Sequence, residues 1–189
     1  MRNYVDLKFL RIFGAPVRIH WAALVVVAGI FVLSLRTPIL ALIGICSYLA
    51  VILLHEAGHA FFARRLGYEV DEIRLGFFHG LCVHETSDSA VDEALIAWGG
   101  VVAQLAVAIP LIVLAQLGVF SHVPGSGPIV AFLGYISALV ALLNLAPSPG
   151  LDGSKAWKLI PIMWRARRAK RATPQKRGVV KGPWDSGER

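Results

Sequence analysis

The sequence predicts an all-α polytopic membrane protein of about four transmembrane helices, with a short membrane-surface β-hairpin or sheet between spans two and three. Three observations predict it. Of 189 residues, 56% are hydrophobic and only 16% charged, where an ordinary soluble domain carries roughly a quarter. The uncharged residues gather in runs long enough to cross a hydrocarbon core about 30 Å thick. The net charge of +7 sits at the ends: residues 1–18 hold 4 basic and 1 acidic side chains, residues 19–152 hold 4 and 9, and residues 153–189 hold 11 and 2. Nucleic-acid binding asks for a basic face on a folded domain. Here basic residues flank apolar stretches, so the expected partner is the lipid bilayer and no nucleic acid.

Span one covers residues 19–35, free of Lys, Arg, Asp and Glu and at the short end of what can cross. No convincing small-residue cleavage site follows it, so it is expected to remain in place. Span two covers residues 37–63, with Glu56 as its only formal charge, and stops at Arg64-Arg65. In residues 68–91, Val70, Ile73, Leu75, Phe77 and Phe78 alternate loosely with polar residues, and Gly76 and Gly80 suit a bend. That pattern predicts the surface hairpin or sheet. Residues 94–151 contain no charged side chain, enough for spans three (94–117) and four (129–145), with the turn supplied by the Pro/Gly-rich residues 124–128. Pro110 predicts a kink in span three.

Four spans place both termini on one side, and the basic ends choose the cytoplasm. The expected organisation is a basic cytoplasmic segment (1–18), a membrane-embedded domain (19–163) and a basic tail (164–189). The tail is expected to be disordered and held near anionic lipid. The two cysteines, Cys46 and Cys82, have no CxxC or Cys/His spacing and read as inert thiols.

Within span two stands His55-Glu56-Ala57-Gly58-His59. Helical spacing of four puts both imidazoles on one face, where their nitrogens can share a zinc ion, with Glu56 placed as general base toward water at that ion. A carboxylate in a membrane helix costs on the order of 3 kcal/mol on insertion scales, so it should face the protein interior. The alternative is that these side chains only hydrogen-bond helices together. A hydrolytic zinc site needs a third protein ligand. Asp152 follows the helix-ending Pro147, Pro149 and Gly150. By itself it reads equally as a turn residue before Gly153. Spans two and four both run inward, which brings Asp152 to the depth of the histidines and favours ligation. His20 opens span one at the same level and could touch the site or lie at the interface beside Trp21. His79 and His84 read as solvated, and His122 sits by the external turn.

These residues resemble the site-2 protease family of intramembrane zinc metalloproteases, most of all its compact bacterial members. The likeness rests on His55 to His59, on the segment from Asn144 through Pro147 to Asp152-Gly153, and on the order of elements between, and covers roughly residues 11–160. It implies His55, His59 and Asp152 as zinc ligands and Glu56 as the catalytic base. It further implies that Asn144 holds the substrate or polarises its carbonyl. Where relatives commonly show a Gly-Pro pair followed by Asn on the third span, this chain has Gly99-Gly100 and Gln104, so no function is carried onto Gln104. The expected activity is hydrolysis of a peptide bond within or near the transmembrane segment of a membrane-protein substrate. Two rivals are a catalytically inactive membrane adaptor that keeps the fold, and a metal-carrying or haem-binding bundle.

Overall fold

The computed structural model describes residues 3–77 and 79–172. A four-stranded sheet, in the order β1-β2-β3-β4, lies with helices that carry most of the chain. The strands are β1 (Tyr4–Ile12), β2 (Ala15–His20), β3 (Val70–Leu75) and β4 (Gly80–His84). β1 and β2 form a hairpin whose two turn residues, Phe13 and Gly14, both have positive φ, the geometry that matches the twist of paired strands. β2 runs parallel to β3, so the chain must cross over between them. It does so through α1 (Trp21–Leu33) and α2 (Pro38–Arg65). β3 and β4 are antiparallel.

The hairpin expected at residues 68–91 is therefore present, but it is half of a larger sheet. Its other half comes from the charged N-terminal segment. In β2, Ala15, Val17 and Ile19 are buried and alternate with Pro16, Arg18 and His20. The buried set packs with Ile73 and Leu75 of β3 and with Ala60 and Ala63 of α2. On the other side, Arg18 pairs with Asp6 and Glu72, and Arg74 with Glu72. Taking Ile19 and His20 into β2 shortens the first apolar run. α1 has 13 residues, about 20 Å at 1.5 Å per residue, and stops at Ser34, whose N–H bonds back to Ile30 and Phe31.

Among the described residues, three helices are long and apolar enough to cross a membrane: Pro38–Arg65, Ala90–Gln116 and Ser126–Asn144. α2 starts with Pro38 in its first turn and ends with Arg64 and Arg65, residues suited to those termini. α3 (Ala90–Gln116) begins before the uncharged run, because the Ser89 side chain accepts from the N–H groups of Val91 and Asp92. It continues through Pro110 to Gln116. The last long helix combines α4 (Ser126–Ile129), a π-helical stretch (Val130–Ile136) and α5 (Ser137–Asn144).

A turn leads to the short α6 (Gly153–Ala156) and then α7 (Leu159–Ala172). The chain divides into two units, Met1–Leu159 and Ile160–Arg189. In the second, residues 164–172 are helical rather than disordered, since Arg, Ala and Lys are strong helix formers whatever their charge. Arg168 stacks over the Trp164 ring there. The rest of the expected disordered tail, 173–189, lies outside the described residues.

Candidate metal centre

His55, Glu56 and His59 are buried in the second half of α2, with exposures of 8%, 3% and 8%. The two imidazoles meet edge to face with ring centroids 4.6 Å apart. Their Nε2 atoms lie 3.1 Å from each other. Asp152, in the turn before α6, brings Oδ2 to 3.0 Å from Nε2 of His55 and 3.3 Å from that of His59. Among the described residues, these three form the group whose donor atoms could hold a metal ion.

Two observations test the fit of zinc. The edge of a tetrahedron around an ion with bonds of about 2.0–2.1 Å is about 3.3 Å, close to the spacing of the three atoms. Asp152 Oδ2 is also buried without a hydrogen-bond donor, although the two imidazole nitrogens face it. The Ile96 carbonyl oxygen lies 2.7 Å from His59 Nδ1. A carbonyl only accepts, so Nδ1 carries the proton and Nε2 is left with its lone pair. Converging lone pairs with no proton between them suit a cation.

Small residues let the neighbouring elements approach. A Cβ on Gly100 of α3 would lie 2.6 Å from both His55 Cε1 and His59 Nε2. A Cβ on Gly58 would run into the Gly99 carbonyl and lie 2.8 Å from the Ala103 Cβ. Close helix contact through small residues is the usual means of packing in membranes. β4, an edge strand, rests against Glu56: a Cβ on Gly80 would lie 2.6 Å from Glu56 Oε1. Beside it, burial and then the Glu56 carboxylate push the Cys82 thiol up to about 12, which keeps it protonated and unreactive. Tyr48 of α2 donates to the Phe77 carbonyl and ties the β3–β4 turn to the same helix.

Asp152 is held by its loop. Gly150 takes a φ of +90°, and Gly153 packs so tightly on the Leu145 and Ala146 carbonyls that no side chain fits. Trp157 Nε1 donates to the Leu145 carbonyl at 2.6 Å and Trp98 Nε1 to that of Ala156 at 3.1 Å. Lys155 pairs with Glu93 of α3 at 3.2 Å. Asn144, the last residue of α5, places Nδ2 3.4 Å from His55 Nε2.

Of the histidines left open by the sequence, His20 caps α1: its Nδ1 accepts from the Ala22 N–H at 3.2 Å, and its ring packs on Tyr4. His79 and His122 are exposed and His84 half-buried. Sequence reasoning missed the Trp98 and Trp157 hydrogen bonds, and it named Gly100 and Gln104 without giving either a place at the site. Gln104 is fully buried, and a polar residue inside an uncharged helix is the signal that could have placed it there.

Apolar helices around a buried donor cluster that can hold a metal ion define the class, a membrane protein with an internal metal site. The sequence model of Peptidase family M50 matches residues 43–121. Rip3 of Mycobacterium tuberculosis is 29% identical over 181 residues, 87% of this chain and 45% of its own length. The sll0528 protein of Synechocystis is 36% identical over 136 residues, 70% of this chain and 35% of its own length. Both carry zinc metalloprotease in their names. The chain thus spans less than half the length of these relatives. In fold, it is similar to the solved Site-2 Protease from Methanocaldococcus jannaschii, with a TM-score of 0.68 at 21% identity, covering 89% of this chain and 73% of that one. Residues 43–121 of the chain are thus similar to peptidase family M50, and its fold is that of the solved site-2 protease.

Proposed function

We propose that the protein is an intramembrane zinc metalloendopeptidase that cleaves a membrane-protein substrate within or near its transmembrane segment, as in regulated intramembrane proteolysis. The observation that carries this reading is the convergence of His55 Nε2, His59 Nε2 and Asp152 Oδ2 beside the buried carboxyl of Glu56. In this reading the three residues are the zinc ligands. When bound, zinc supplies Lewis-acid polarisation of the scissile carbonyl and makes water at the site acidic near neutral pH. Glu56 takes the proton of the attacking water and returns it to the amine as the C–N bond breaks. Asn144 holds the substrate carbonyl at the edge of the site.

A substrate helix hides its scissile bond and must unwind before it reacts. The unwound stretch pairs with the open edge of β4 by strand addition, and Gly80 on that strand adjoins Glu56. Both termini are cytoplasmic in this reading, and the chain crosses the cell membrane four times. α1 makes the fourth crossing together with the apolar residues that flank it and local thinning of the bilayer. Residues 19–163 form the protease domain between a basic N-terminal segment and a basic tail.

Replacing Glu56 by Gln tests the chemistry. Cleavage of a co-expressed single-span substrate should fall by about 100-fold or more, while purified protein keeps its zinc. Cleavage at the parental rate would sink the reading and leave the inactive adaptor or the metal carrier. Asp152→Ala should lower zinc content and affinity, and an unchanged titration removes Asp152 from the ligand set.

A further inference from the structure

Gln104 stands on α3 with no exposed surface. Its amide is polar at both ends, and each end has a partner on α2. Nε2 lies 3.5 Å from the Val51 carbonyl oxygen, and Oε1 lies 3.0 Å from His55 Nδ1. The two partners are one helical turn apart, so one side chain spans the backbone and the ring of the same turn.

This network decides a proton. The Val51 carbonyl can only accept, so the amide must turn its NH2 group toward it. Oε1, which can only accept, then faces His55 Nδ1. That nitrogen must therefore donate, and His55 Nε2, which faces Asp152 Oδ2 at 3.0 Å, keeps its lone pair. The opposite amide orientation would set NH2 against any protonated Nδ1 and oxygen against oxygen at Val51. His59 obtains the same tautomer from the Ile96 backbone carbonyl, which no side-chain substitution removes. For His55 the corresponding acceptor is a side chain, and the sequence can change it.

We propose that Gln104 is the positioning residue of the metal centre: it fixes the tautomer and ring orientation of His55 so that Nε2 is available as a metal donor. The inference rests on the zinc reading above, but it concerns how the site is prepared. It gives a function to a residue that touches neither substrate nor metal. Acceptors behind metal-bound imidazoles typically change metal affinity about 10- to 100-fold.

The test is zinc affinity of the full chain, purified in lipid nanodiscs and titrated against a chromogenic chelator. Gln104→Leu should bind zinc about 10- to 100-fold more weakly than the parent. Gln104→Glu, whose neutral acid can donate to Val51 and accept from His55, should recover most of that loss. A residue that only fills space would show no such recovery. Zinc affinity of Gln104→Leu equal to that of the parent overturns the inference. His55→Ala measured alongside separates the two levels. If it loses zinc while Gln104→Leu does not, Gln104 alone is reassigned. If His55→Ala binds as the parent does, the ligand set itself falls, and Gln104 with it. Should Gln104→Leu not fold, nitrogen NMR of the histidine-labelled parent decides. With the ring neutral, a proton on Nδ1 of His55 supports the inference, and a proton on Nε2 overturns it.

Discussion

At Gly100 one hydrogen separates α3 from the two imidazoles. A methyl group there would sit 2.6 Å from each ring, closer than carbon and nitrogen can approach without displacement. Overpacking of this kind costs on the order of 1–3 kcal/mol. Gly100→Ala is therefore expected to push the rings apart and weaken zinc binding, whereas Gly127→Ala, with open space around its Cβ, should leave it unchanged. Zinc titration of both variants checks the contrast. His55 and His59 were legible as a pair because helical spacing alone sets side chains four apart on one face, and Glu56 by its place next to the first of them. Asp152 came within reach by depth, once both helices were taken to run inward. Gln104 and Gly100 were not legible as parts of the site, because one amide and one glycine in an apolar helix have no partner in their own neighbourhood. Their partners, on α2, are more than forty residues away in the chain.

The elements repeat this division. α2 and the apolar body of α3 follow from uncharged runs of sufficient length, and the Ser89 cap with Asp92 and Glu93 in the first turn was a readable start signal that the charge count obscured. β2 was hidden for a different reason. Its alternation of buried Ala15, Val17 and Ile19 with Pro16, Arg18 and His20 is regular, but its last two residues also read as the opening of a membrane helix. Pairing with β3 decides between the two, and that pair is parallel, joined only through α1 and α2. The turn carrying Asp152 depends on Gly153, where a Cβ would strike the Leu145 and Ala146 carbonyls. Gly153→Ala should open this turn at a cost of about 1–3 kcal/mol. The expected outcome is lost zinc together with faster proteolysis between residues 145 and 158. Unchanged zinc content would mean that the turn does not hold Asp152 in place.

For the whole molecule, the charge distribution makes a topological prediction. With the chain in intact cells, a cysteine introduced at Ser121 should react with a membrane-impermeant maleimide, and one introduced at Ser87 should react only after permeabilisation, in a background with Cys46 and Cys82 replaced. The reverse pattern would invert the proposed orientation. Composition, run lengths and the placement of basic residues settled by themselves that apolar helices dominate this protein, and spacing settled that the two histidines share one face of α2. These are local properties, written in consecutive residues and in the period of the helix. Only the tertiary structure decided that the N-terminal segment completes the sheet, that β4 rests on Glu56 through Gly80, and that Gln104 stands behind His55. Each of those is a contact between residues distant in sequence, selected by which backbones can approach closely and which buried polar atoms can find a partner.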